Sequence, residues 1–274
     1  MQTLSAMLVL DGLEFDRPLA QISPWLDMLS TELDAVVLAL EAQEHRRIIK
    51  THTPLDGLPY DERVTYLCVG RDPRDVALSF EHHMANLDMG AFMAARAAAV
   101  GLDDLAELGP PPQPPPTDDD ERFWSWANGA AGSFMGPTLS EILHHLQTFW
   151  DRRENPNIAL FHYSDLLADL PGQLRRLSDV LGIDVTEERL AQYSQAGTFE
   201  RMKQRADDLV PDGGNRIWRS NREFFHRGRN GQGRERLDED GRRRYEKRVA
   251  ELVPPDLAIW AHHGWHNADT CSRL

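Results

Sequence analysis

A chain of 274 residues, 41% hydrophobic and 27% charged, is long enough to bury a core and has the composition of an ordinary soluble globular protein. Its formal net charge of −14 argues against a protein that wraps nucleic acid. The charge is uneven: Arg216–Arg248 holds 12 Lys+Arg against 6 Asp+Glu, a local +6 on a remainder of −20, which suits either a small, highly charged anionic ligand or a solvated helix face laced with ion pairs.

Leu4, Met7 and Leu8 form one helical stripe, so residues 1–10 are expected to be helical. The apolar run at 4–10 is short, lacks a basic flank and ends at Asp11, so it is neither a signal peptide nor a membrane span. With two cysteines, Cys68 and Cys271, and no disulfide or zinc spacing, a reducing, cytoplasmic setting is expected. Ser23-Pro24-Trp25-Leu26 opens a second helical segment, and Val36, Val37 and Leu40 carry an apolar face. Strands are expected at 46–50 and 64–69, the second enclosing Cys68 as a buried, inert thiol. A helix beginning at Val76 places Val76, Phe80 and His83 on one face.

Residues 109–121, Pro-rich and then acidic, read as an extended linker or lid connector within a single domain spanning 1–274, with Thr117 or Asp118 capping the next helix. Trp124, Trp126, Phe134, Phe149 and Trp150 read as core aromatics, with a lid over an apolar substrate as the alternative. Residues 157–163 form a third buried strand, followed by a helix through Leu166, Leu167, Leu170, Leu174 and Leu177. Residues 185–205 read as helix, 211–236 as a Gly/Arg-rich loop, and 238–262 as helix broken at Pro254-Pro255. Strand and helix in alternation predict an α/β fold with a parallel sheet and right-handed crossovers.

Two of the apolar runs end in polar clusters, the pattern of an open α/β sheet whose ligand sits at the carboxyl edge of its strands. The first ends in Lys50-Thr51-His52. His52 reads either as a hydrogen-bonded loop residue or as a general base, with Lys50 as a cation able to hold developing negative charge. The second ends at Arg71, with Ser79 on the first turns of the next helix. A guanidinium fork and a hydroxyl near a helix start suit a phosphate; Arg74 and Asp75 read as capping and pairing residues. His226-Arg227-Gly228-Arg229-Asn230-Gly231 offers glycines and cations to an anion, or is merely flexible. No metal-ligand set is evident.

The strings Lys50-Thr51-His52-x-Pro54-Leu55-Asp56, Arg71-Asp72-Pro73-Arg74-Asp75-Val76-Ala77-x-Ser79, Tyr163-Ser164-Asp165, Thr198-Phe199-x-x-Met202-Lys203 and Phe225-His226-Arg227-Gly228-x-x-Gly231 occur in this order. Together they resemble the soluble sulfotransferases that use 3′-phosphoadenosine-5′-phosphosulfate (PAPS), over about residues 22–260. The resemblance implies a three-layer α/β domain like that of the P-loop NTPases, with a mostly parallel central sheet. It implies sulfonate transfer from PAPS, as co-substrate, to a hydroxyl of a small or lipid acceptor, with no metal required. His52 matches the base and Lys50 a cation beside the sulfonate. Arg71 and Ser79 match the clamp on the 3′-phosphate. Tyr163 matches a residue of the adenine pocket, and Thr198 and Phe199 a segment at the nucleoside. Arg227 and Gly228 match the loop that completes the 3′-phosphate site, with His226 where Arg is frequent.

Two departures stand out. The late motif commonly continues to Trp and a basic residue; here those positions are Gly233 and Arg234, which leaves the loop's rigidity open. Family members also begin with a strand and a lysine-bearing phosphosulfate loop, followed by a helix that resembles residues 1–10. No such strand and loop precede that helix in this sequence, and no Gly-x-x-x-x-Gly-Lys string replaces them. Two expectations follow: an upstream start, or a homologue that binds adenosine 3′,5′-bisphosphate but is catalytically impaired.

Overall fold

The computed structural model describes residues 1–102, 116–129, 136–211 and 216–271. They fall into two compact units. One comprises 1–52, 82–110 and 170–228; the other comprises 53–81, 111–169 and 229–274.

The second unit holds a parallel pair of strands, β1 (Tyr66–Gly70) and β2 (Ile158–His162), in register from Tyr66 against Ile158 to Gly70 against His162. Every residue of β2 is buried. β1 alternates, with Cys68 buried and Val69 open to solvent. Burial pushes the Cys68 thiol up to about 12, so it stays protonated and inert. Helix Leu139–Trp150 packs Leu139, Leu143, Leu146 and Trp150 into the core with Leu257 and Trp260. Its start is written in the sequence as a capping box: Thr138 Oγ1 accepts from the Glu141 N–H, and Glu141 Oε2 accepts from the Thr138 N–H. Of the expected core aromatics, Trp126, Phe149 and Trp150 are buried in this core and Trp124 packs against it half-buried; Phe134 lies outside the described residues. Residues 119–121 form the first turn of helix Asp119–Asn128 rather than linker, because Asp118 Oδ1 accepts from the N–H groups of Asp120 and Glu121. Residues 109–115 of the expected linker lie outside the described residues.

In the first unit, helices Gln2–Leu10 and Leu19–Ile22 bury Ala6, Leu19 and Ile22 with Leu209. Leu87, Ala206, Val210, Ile217 and Trp218 form another cluster. The expected strand at 46–50 is absent. Only Lys50 pairs, in an isolated parallel bridge with Trp25: Lys50 N–H donates to Pro24 O and Leu26 N–H donates to Lys50 O. Pairing stops because the partner segment begins at Pro24, which has no N–H to continue a ladder. The segment 211–236 is not all loop either. Ser220 caps a short helix, Asn221–Phe224, and Gln232–Glu235 forms another. Among the described residues, no helix is long and apolar enough to cross a membrane.

The late loop is pinned where its rigidity was open. Asp75 Oδ2 accepts from Gly231 N–H and Oδ1 from Gly233 N–H, both at 2.8 Å. A Cβ on Gly233 would stand 2.4 Å from Arg74 Cβ and 2.5 Å from its carbonyl carbon. Both obstacles are fixed close to the backbone, so a side chain at 233 has no room. Gly233→Ala is expected to cost about 1–3 kcal/mol by overpacking, read as a lowered urea midpoint at unchanged slope.

Candidate active site

In the first unit, the chain after the Trp25–Lys50 bridge carries the candidate base. Lys50 Nζ lies 3.5 Å from the centroid of the Trp25 ring, and the His52 ring meets the same indole edge-on at 4.5 Å. One aromatic plate therefore positions both the cation and the imidazole. Asp27 fixes the backbone between them: its Oδ2 accepts from Thr51 Oγ1 and from the His52 N–H, each at 2.9 Å. Burial pulls the Lys50 ammonium down to about 8, with the charge of Asp27 opposing. His52 itself is exposed. His83 is taken to about 4 by burial, then by the charges of Lys50 and His82, so it is neutral at pH 7 and packs against Trp218.

The same unit holds Thr198 and Phe199, expected at the nucleoside. Phe199 opens helix Phe199–Gln204 and its ring lies against Gly228. A Cβ on Gly228 would stand 2.4 Å from the Phe199 ring, and its φ of 63° is left-handed, so glycine is required twice over. Thr198 occupies the N-cap, but its hydroxyl donates to Gln195 O rather than capping the helix. Lys203 Nζ donates to His226 O at 3.3 Å, holding the backbone just before Arg227. His226 lies face to face with His82, ring centroids 3.7 Å apart.

In the second unit, Arg71, Ser79 and Tyr163 come together. Arg71 Nη1 donates to Ser79 Oγ at 2.8 Å and Nη2 to Arg229 O at 3.2 Å, while the guanidinium lies 4.7 Å from the Tyr163 ring centroid. Arg71 Nε is buried without a partner among the described residues, as is Asn230 Oδ1, although Asn230 Nδ2 donates to Ser164 Oγ. A guanidinium N–H left without a protein acceptor is able to donate to an anion. β1 supplies Arg71 at its carboxyl end, and Ser79 lies two turns along helix Pro73–Asn86.

Several residues with no site role expected from the sequence hold this arrangement. Asp72 takes the buried Arg74 guanidinium through Nε at 2.9 Å and Nη2 at 2.7 Å. Burial raises the Asp72 carboxyl, and the hydrogen bonds and charge of Arg74 more than reverse this, leaving it below the usual carboxylate range. Asp165 accepts from the N–H groups of Trp265 and His266, fixing the chain that follows β2. His162, fully buried, accepts from Ser164 N–H at Nδ1 and donates to Ala261 O from Nε2, which selects its neutral tautomer. Trp25 and Asp27 carried a weak signal, an aromatic and an acid beside Pro24. Pairing with the Lys50–His52 segment some 25 residues later is not visible in a single sequence.

Residues 6–254 match the sulfotransferase domain. The chain is 42% identical over 280 residues to a glycolipid sulfotransferase of Mycobacterium bovis, covering 98% of this chain and 85% of that protein. It is equally 42% identical over 279 residues to a glycolipid sulfotransferase of Mycobacterium tuberculosis. Among solved structures, retinol dehydratase in complex with androsterone and the inactive cofactor PAP superposes with a TM-score of 0.67 at 22% identity, covering 93% of this chain and 78% of that one. A mouse sulfotransferase complexed with PAP gives 0.60 at 16% identity, covering 82% and 72%. At these identities the solved structures share the fold.

Proposed function

Because the chain belongs to the sulfotransferase domain family, we propose that it transfers a sulfonate group from PAPS to a hydroxyl of a lipid acceptor, with His52 as general base. His52 takes the proton from the acceptor hydroxyl as its oxygen attacks sulfur. A new S–O bond forms, the S–O bond to the 5′-phosphate breaks, and adenosine 3′,5′-bisphosphate leaves. Lys50 holds negative charge developing on the transferring group. The family resemblance gives Arg71 and Ser79 the 3′-phosphate, Tyr163 the adenine pocket, Thr198 and Phe199 the nucleoside, and Arg227 and Gly228 the loop that completes the 3′-phosphate site.

The observation that carries this reading is the pairing of Lys50 and His52 on one indole, with Asp27 fixing the backbone between them. The partnerless Arg71 Nε supports an anionic co-substrate. A lipid acceptor is supported by the glycolipid sulfotransferases at 42% identity. A pocket of about 400 Å³ lined by Pro24, Trp25, Met28, Val36 and Ala39 offers room for an apolar chain beside Trp25.

The ammonium of Lys50 gives the test. Its pKa is lowered to about 8, so the cation is present below that pH and is lost as pH rises through it. Turnover is expected to fall on an alkaline limb near pH 8. Lys50→Arg keeps its charge to far higher pH and moves that limb up, at a lower absolute rate. A limb unmoved in Lys50→Arg contradicts the role given to Lys50.

A further inference from the structure

Outside the residues given to catalysis, one cluster in the first unit has the composition of a metal site. His82, Glu223 and His226 each present a ligand atom, and these atoms all lie within 4.8 Å of one another. Two segments far apart in the sequence supply them. His82 lies on helix Pro73–Asn86, Glu223 on helix Asn221–Phe224, and His226 two residues beyond that helix. The backbone already brings them together: His82 Nε2 lies 3.1 Å from Glu223 O and 3.9 Å from Glu223 Oε2, and the two imidazoles face each other at 3.7 Å, tilted by 34°.

We propose that His82, Glu223 and His226 form a binding site for a late first-row divalent cation such as Zn²⁺. Two imidazoles and one carboxylate, with water in the fourth position, are a common ligand set for that ion. At metal–ligand distances of about 2.1 Å such donors stand roughly 3.4 Å apart, so small side-chain rotations close the set. His82 and His226 are half-buried, while Glu223 is exposed and gives the ion a path from solvent. Arg227 and Lys203 act electrostatically on His226, and their positive charge opposes any divalent cation, most of all hard cations whose sites depend on oxygen ligands and net negative charge. Imidazole nitrogens favour the late transition metals instead.

The proposal assigns the ion no part in sulfonate transfer and stands without the reading given above. Its effect is structural. It ties the Asn221–Phe224 helix and His226 to His82, a second restraint beside the Lys203–His226 bond on the backbone that leads into Arg227 and Gly228.

The test uses the full chain without an affinity tag, titrated with Zn²⁺ in equilibrium dialysis and with Co²⁺ followed by its visible ligand-field bands. The expected result is saturable binding of one ion, with Co²⁺ bands of a nitrogen- and oxygen-ligated tetrahedral site. Even groups one shell beyond a metal cost about 10–100-fold in affinity when removed, so Glu223→Gln and His226→Asn should each weaken binding about tenfold or more. Glu223 is exposed, so Glu223→Gln should fold normally. No saturable binding by the wild-type chain overturns the site, as does binding that Glu223→Gln and His226→Asn leave unchanged, since the ion then sits on other histidines.

Discussion

Replacing His52 with alanine is expected to lower sulfonate transfer by about 10²–10⁴-fold, the contribution of a positioned general base, while the dissociation constant for adenosine 3′,5′-bisphosphate stays within a few-fold of wild type. The argument is local. The imidazole is exposed and touches the edge of Trp25, so its removal opens no buried cavity. The bond from the His52 N–H to Asp27 is made by the backbone and survives the change. Lys50 keeps its place over the indole. What is lost is the acceptor for the hydroxyl proton, and the loss belongs in kcat rather than in nucleotide binding. Equal turnover by the variant would remove His52 from the chemistry.

Arg71→Ala should act on the other quantity. Its guanidinium donates to Ser79 Oγ and to the Arg229 carbonyl and keeps a buried Nε without a partner. A hydrogen bond to a charged group is worth about 1.5–3 kcal/mol, so losing even one to the 3′-phosphate weakens the bisphosphate roughly 10–150-fold. Lysine should not rescue it, because an ammonium cannot reproduce the fork. The late loop keeps its bonds from Gly231 and Gly233 to Asp75, so the variant should remain folded. Calorimetric titration with adenosine 3′,5′-bisphosphate reads the effect, and unchanged affinity would contradict the phosphate role.

What a single sequence discloses here is mostly local. The Thr138–Glu141 capping box, the Asp118 cap and the buried Cys68 in β1 all follow from residues within a few positions of one another. The end of β1 just before Arg71 follows from an apolar run meeting a charge. Residues 46–50 show the limit. Ile48 and Ile49 look like strand, but a strand exists only by pairing, and Pro24 in the partner segment confines pairing to Lys50. The late loop shows it again. With Gly233 at the motif's tryptophan position, rigidity could not be judged from residues 225–234. The restraint is Asp75, more than 150 residues earlier, and the same crowding against Arg74 excludes a side chain at 233. Trp25 and Asp27, and the meeting of His82 with Glu223 and His226, were hidden for the same reason: these partners are close only after folding.

The most direct test is to incubate the purified chain with PAPS carrying a radioactive sulfonate and a glycolipid with free hydroxyls. The account predicts labelled lipid, released adenosine 3′,5′-bisphosphate in equal amount, and loss of both with His52→Ala. A chain that binds the bisphosphate tightly yet labels no hydroxyl-bearing lipid would contradict it.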